Sequence, residues 1–225
     1  MKFFSAKNIL IITIIIIAAI ASVFYWHRSR SSLTDKAFLS NLKGEIVYTF
    51  REKDGVSNVY KISANGVGKK LIYHNEDKTN SNSFLPVWSE DGTKIYFTAM
   101  KDGEWKRFSI GSNGGSATVL ENEEPQVVSR LPRSNDLIGD GGSLSYKDES
   151  GKEVQVYSVK FYDSKFNRGP EEVSWSPDKK FLIFQSCGSP FPFGLFSGGC
   201  KILVANREGT RVVEITKGYE PDWKY

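Results

Sequence analysis

Histidine and cysteine are nearly missing from this sequence, with two of each in 225 residues. His27 flanks an apolar amino-terminal run, so His74 is the one imidazole left to the rest of the chain. A structural zinc site takes four ligands and a catalytic one three plus water, so no metal or other cofactor is expected. The nucleophile elbow G-x-S-x-G is absent as well, which removes the signature of a serine hydrolase, and His74 reads as an exposed turn residue after a strand. Asp136, Asp140, Asp148 and Glu149 do not follow the spacing of a calcium loop and read as polar turn residues. No carboxylate pair is marked out for glycosidase chemistry.

A concentrated basic face is also lacking. Residues 1–30 hold four Lys or Arg and no acid, so the net charge of +4 belongs to that segment, and 31–225 balances 26 basic against 26 acidic residues. A nucleic-acid binder would need a clustered positive surface, so no nucleic-acid partner is expected.

Charge is missing altogether from Asn8 to Trp26, nineteen residues that are mostly isoleucine and alanine between 9 and 20. At about 1.5 Å per residue a helix of that length just crosses a hydrocarbon core of about 30 Å. Lys2 and Lys7 precede it, and Tyr25 and Trp26 follow as an interfacial aromatic pair. Ala19-Ile20-Ala21 has the form of a signal-peptide cleavage site, but apolar character continues beyond it to Trp26. Residues 1–30 are therefore read as one amino-terminal transmembrane anchor, with a cleaved signal peptide as the alternative, and 31–43 as a juxtamembrane linker. Thr34 to Leu42 is the one further stretch with helical periodicity.

What the remainder has in abundance is repetition. PVWSEDGTKIYFTA at 86–99 returns as VSWSPDKKFLIFQS at 173–186, with Trp88 and Trp175 separated by 87 residues. Halving that spacing places a degraded copy at Leu131–Ile138, LPRSNDLI, with Leu131 over Trp88 and Ile138 over Ile95. A further copy begins at Glu220–Trp223, EPDW. A period near 44 residues marks a propeller or solenoid. Each period divides into short alternating strands with turn signals such as Asp54-Gly55, Asn65-Gly66, Asp102-Gly103 and Asn113-Gly114.

Four strands per unit is the content of a propeller blade, so 44–225 is read as an all-β propeller of about four four-stranded blades. In this reading the repeated words lie where the outer strand of one blade ends and the inner strand of the next begins. Trp88, Leu131, Trp175 and Trp223 fill the spaces between blades, and Ile95 and Phe97 face the adjoining blade.

VWSEDGTKIYFTA and SWSPDKKFLIFQS resemble the repeat of TolB-like β-propellers, whose words also recur in propellers of prolyl-oligopeptidase-type peptidases. The resemblance spans about 180 residues, Gly44 to Trp223. It implies a rigid periplasmic or extracellular interaction platform, often of six blades. About four blades' worth of sequence here leaves three alternatives: a closed ring of four, an open arc, or a ring completed by a second copy of the chain.

Cys187 and Cys200 enclose Gly188–Gly199, GSPFPFGLFSGG, where the other copies have only a few turn residues. The cysteines are either two unrelated thiols or, outside the cytoplasm, a disulfide. If their strands pair as a hairpin they lie nearly opposite one another, and the loop points away from the WSEDG and WSPDK turns. Phe191, Phe193, Leu195 and Phe196 then form a partner-docking loop or a cover for their own blade edge. The sequence is read as a non-catalytic protein-interaction module at the periplasmic or cell-surface side of a membrane, with an envelope protein as partner. The rival class is a propeller enzyme, or enzyme subunit, acting on glycans or peptides.

Overall fold

The computed structural model describes residues 35–76, 83–121, 136–139, 142–158, 167–188 and 199–224. It divides the chain into a unit ending at Asn41 and a second, Leu42–Tyr225. The described part of the first unit is a short helix over 35–39, closed by the Asn41 side-chain amide donating to Ala37 O at 3.0 Å. The expected anchor, 9–26, lies outside the described residues. Among those described, no helix is long and apolar enough to cross a membrane.

The second unit is all-β, with strands that follow the hairpin signals closely. β1 (Glu45–Arg51), β2 (Ser57–Ser63) and β3 (Lys70–Tyr73) form one meander, and β4 (Ser83–Trp88), β5 (Lys94–Lys101), β6 (Glu104–Gly111) and β7 (Thr118–Val119) a second. The third has β8 (Leu137–Gly139), β9 (Ser143–Lys147) and β10 (Glu153–Ser158). The fourth has β11 (Asn167–Trp175), β12 (Phe181–Gly188), β13 (Cys200–Asn206) and β14 (Val212–Lys217). Finally β15 (Tyr219–Lys224) returns to pair with β1, so the last strand of the chain becomes the first strand of the first sheet. Four antiparallel sheets of three or four strands result, an organisation expected of propeller blades.

Asp102 and Gly103 show how the turns follow from sequence. They are the two residues between β5 and β6, with φ of +56° and +79°, the positive pair that a type I′ hairpin turn requires.

The register corrects two readings of the repeat. Trp88 pairs with Ile95 inside one sheet, as Trp175 pairs with Leu182 and Trp223 with Ile46. The words at 86–99 and 173–186 are therefore hairpins within a sheet, joining its first strand to its second, and not crossings from one blade to the next. In the third sheet the residue at the tryptophan position is Gly139, paired with Leu144, while Ile138 pairs with Ser145. Leu131 lies outside the described residues and eight positions before that site. The physical reason is uneven connection length: the chain between β7 and β8 is long, so equal spacing misplaces the third copy. The third sheet also shows three strands among the described residues where four were expected.

Two cores lie between sheets. Val47, Val59 and Ile72 of the first sheet pack with Ile95, Phe97, Phe108 and Ile110 of the second. Leu144, Tyr146 and Val156 of the third pack with Val173, Leu182 and Phe184 of the fourth. Each fully buried aliphatic or Phe side chain contributes about 1.5–3 kcal/mol. The first strands meet one another: β15 packs on β4 and β11, and β11 on β8.

Candidate functional site

On β12 the WSPDK hairpin attaches at one end and the Cys187–Cys200 connection at the other. Cys187 and Cys200 are directly paired across β12 and β13, with Cα atoms 4.0 Å apart, and are joined as a disulfide. Close non-hydrogen-bonded cross-strand pairing of this kind is what brings two cysteines within bridging distance. Phe191, Phe193, Leu195 and Phe196, the candidate docking residues, lie outside the described residues, between these fixed ends.

Several buried polar side chains, Thr49, Glu172, Gln185 and Glu220 among them, lie on the first and second strands of their sheets. Leu85, Glu172 and Glu220 each stand three residues before a tryptophan of the repeat, on β4, β11 and β15. All three have positive φ, between 49° and 55°, and each falls where the ladder to the second strand slips. Such bulges turn a backbone N–H out of the ladder and aim it elsewhere. At Leu85 and Glu220 it is aimed at the neighbouring sheet. Leu85 N donates to Glu220 Oε2 at 2.7 Å, and Glu220 N donates to Gln185 Oε1 at 2.6 Å. Gln185 Nε2 in turn donates to Glu171 Oε2 at 3.0 Å, and Thr49 Oγ1 to Glu220 Oε2 at 3.0 Å.

This relay runs from the fourth sheet through the first to the second. Glu220 is 4 % exposed, and Thr49 and Gln185 are buried with it. A buried carboxylate is costly unless hydrogen-bonded, and these donors meet that need. Tyr219, beside it, is held by Ser57 Oγ, and burial pushes its phenol above the ordinary range. Glu172, at the equivalent bulge of β11, is buried too.

At the other end the tryptophans stand between sheets, each with a different partner. Trp88 N donates to Asp222 Oδ2 at 2.8 Å, and Lys224 Nζ lies 3.9 Å from the Trp88 ring while donating to Gly92 O. Trp175 Nε1 donates to Asp136 Oδ2 at 3.1 Å, and the ring meets Tyr146 edge to face at 5.2 Å. Arg207 lies over the Tyr146 and Trp175 rings together. Trp223 Nε1 donates to Lys43 O, and its ring stacks on Phe181.

The turns that follow the tryptophans are closed by their own aspartates. Asp91 accepts from Ser89 Oγ, Thr93 N and Thr93 Oγ1, bonds that hold its carboxyl down at about 2. Asp178 closes the equivalent turn through Ser176 and Lys180 N, and Asp148 the β9–β10 turn through Ser150 and Lys152 N. Asp136 and Asp148 are thus structural residues, and His74 is exposed just after β3.

Sequence reasoning missed Glu220, Gln185, Thr49 and Leu85. LPVW, EVSW and EPDW do carry a shared frame, but nothing in those words marks the bulge three residues upstream of the tryptophan.

No family model matches the sequence, and no curated protein is similar to it. Among solved structures, a TolB protein of Agrobacterium tumefaciens is 16 % identical with a TM-score of 0.32, covering 79 % of this chain and 64 % of its own. TolB of Acinetobacter baumannii is 14 % identical with a TM-score of 0.26, covering 77 % and 53 %. An oligogalacturonate lyase from Vibrio parahaemolyticus is 16 % identical with a TM-score of 0.28, covering 78 % and 49 %. The chain spans less than two thirds of the length of each. The solved structures it resembles are TolB-like propellers and related propeller proteins.

Proposed function

We propose that this chain is a membrane-anchored, four-bladed β-propeller held outside the cytoplasm, which binds a protein partner through its disulfide-end face and catalyses no reaction. The observation that carries this reading is the Cys187–Cys200 bridge, which fixes both ends of a loop whose sequence is glycine, proline, two serines and four large apolar residues. A bridge at the base of such a sequence supplies the definition that an interface needs. Disulfides persist in oxidising compartments, which favours the periplasm or cell surface. The relay supports the non-catalytic part, because Glu220 is committed to Leu85 N and Thr49 rather than to a substrate proton.

A photo-cross-linking residue placed at Phe191 or Phe193, in the full chain in its native membrane, tests the docking face. The same protein should be captured from both positions and not from Lys180 on the opposite turns, and the Phe191→Ser, Phe193→Ser chain should fold yet lose it. If that double variant unfolds, the loop is a blade cover. Turnover of envelope glycans or peptides by the purified chain would favour the enzymatic class instead. Mass spectrometry of the membrane-extracted protein tests the anchor, and a mature terminus at Ser22 would replace it with a cleaved signal.

A further inference from the structure

The ammonium of Lys69 lies 3.6 Å from the centroid of the Phe50 ring and 4.2 Å from that of Tyr60. The two rings meet edge to face, 5.8 Å apart with planes at 89°, and so make two walls of a corner. Phe50 comes from β1, Tyr60 from β2, and Lys69 from the residue just before β3. The Tyr60 hydroxyl donates to Glu52, whose charge also attracts the Lys69 ammonium. Glu52 therefore both fixes the orientation of one wall and lends the corner a negative rim.

The way this ammonium is held is unusual for a lysine. Among the described residues it has no hydrogen bond and no ion pair, although it carries three N–H donors. Its protein neighbours are the two ring faces and the nearby carboxylate, and the residue is otherwise open to solvent. Burial accordingly draws the Lys69 amine below its ordinary range, against the pull of Glu52. A cation without donors would lose no protein hydrogen bond in this place. A quaternary ammonium is such a cation, is less tightly hydrated, and is the kind that aromatic faces recognise best.

We propose that the Phe50–Tyr60 corner, rimmed by Glu52, is a binding site for a quaternary alkylammonium group, and that Lys69 is its displaceable resident. Lys69 as a residue is exposed, so its side chain can leave the corner for water without disturbing the sheet. A tethered competitor acts at an effective concentration in the millimolar range, which keeps the corner weak toward outside ligands until Lys69 leaves. Trimethylammonium chemistry has two sources, a free small amine or a choline lipid headgroup.

The test uses the full chain in a maltoside detergent, which carries no quaternary amine, with carbon-13 in its Phe and Tyr rings. Tetramethylammonium chloride is titrated against sodium chloride at matched ionic strength. The Phe50 and Tyr60 ring signals should shift saturably with tetramethylammonium alone. Lys69→Ala, or Lys69→Gln if the alanine variant folds poorly, should bind roughly tenfold more tightly than the parent. Phe50→Leu added to either should abolish the binding. Equal shifts with sodium chloride, or no gain on removing the Lys69 amine, would overturn the proposal. Choline and glycerophosphocholine, compared on the Lys69→Ala chain, distinguish the sources: tighter binding of the free amine points to a small solute, tighter binding of the phosphodiester to a lipid headgroup.

Discussion

The backbone N–H of Leu85 and the carboxylate of Glu220 are 135 residues apart in the chain and 2.7 Å apart in the fold. The bond joins β4 of the second sheet to β15, the strand by which the chain's last residues complete the first sheet. Glu220 also accepts from Thr49 Oγ1 of β1, so one side chain ties both partners of the terminal pairing to the neighbouring sheet. Glu220→Ala leaves a buried N–H and a buried hydroxyl without their acceptor. Each such loss costs about 1–3 kcal/mol, so urea unfolding should show about 2–6 kcal/mol of destabilisation. Glu220→Gln, which keeps one acceptor oxygen, should cost less than half as much. Equal costs for the two variants would mean that packing, and not the acceptor, is what Glu220 supplies.

The tryptophans are expected to differ among themselves. Trp223 is 7 % exposed and stacked on Phe181, whereas Trp88 and Trp175 are half-buried. Trp223→Ala should approach the cost of emptying a buried aromatic site, about 3–5 kcal/mol, and Trp88→Ala should fall below it. Thermal unfolding of the three variants side by side gives the order.

Reduction of the disulfide should be visible as a stability change independent of any partner. Cys187 and Cys200 are 13 residues apart in sequence, and closing a loop of that size stabilises by about 3 kcal/mol in the chain-entropy account. Cys187→Ser with Cys200→Ser should therefore unfold at lower urea than the parent, and dithiothreitol should lower the parent to match. If the reductant changes the parent while leaving the double variant unchanged, the effect belongs to the bridge.

Acid should act on the Trp88 hairpin through Asp91. Hydrogen bonds from Ser89 and Thr93 lower its carboxyl from an ordinary 3.8 to about 2. A lowered value means that the folded state binds the proton less readily than the unfolded one. The turn's contribution is therefore complete above about pH 4 and is lost as pH falls through about 2. NMR titration of the Asp91 carboxyl carbon should place its midpoint near 2, and Ser89→Ala should raise it, because the first of its donors is gone.

Legibility of the fold from sequence followed local chemistry. Asp102-Gly103 and Asn113-Gly114 are read correctly because the demand for positive φ is written in the residue types themselves. Cys187 and Cys200 are read correctly because they stand at the facing ends of two strands that pair as a hairpin, whatever the length of the loop between them. Gly139 was not legible: a glycine at a tryptophan position carries no pattern, and the uneven stretch between β7 and β8 hides the spacing. The relay was not legible for another reason. Leu85 is aliphatic while Glu172 and Glu220 are acidic, and what the three share is a positive-φ backbone conformation where they meet the second strand. Phe50, Tyr60 and Lys69 likewise come together only through the pairing of β1, β2 and β3.

Gly209 tests the seam between the third and fourth sheets. It sits in the β13–β14 turn with φ of +67°, and a Cβ added there would lie 2.7 Å from Gln155 O and from Val156 Cα on β10. Those atoms belong to backbone and cannot swing aside, so Gly209→Ala must push β10 away or distort the turn. Gly103, at φ +79°, has the same backbone preference but nothing within 4 Å of its virtual Cβ. Gly103→Ala thus measures the conformational penalty alone, about 1–2 kcal/mol for an L-residue in the left-handed region. Gly209→Ala adds an overpacking cost, typically about 1–3 kcal/mol, to the same penalty. Urea unfolding should therefore rank Gly209→Ala as the more damaging of the two by that margin. Equal losses would show that β10 yields freely, and that the third sheet is not held against the β13–β14 turn.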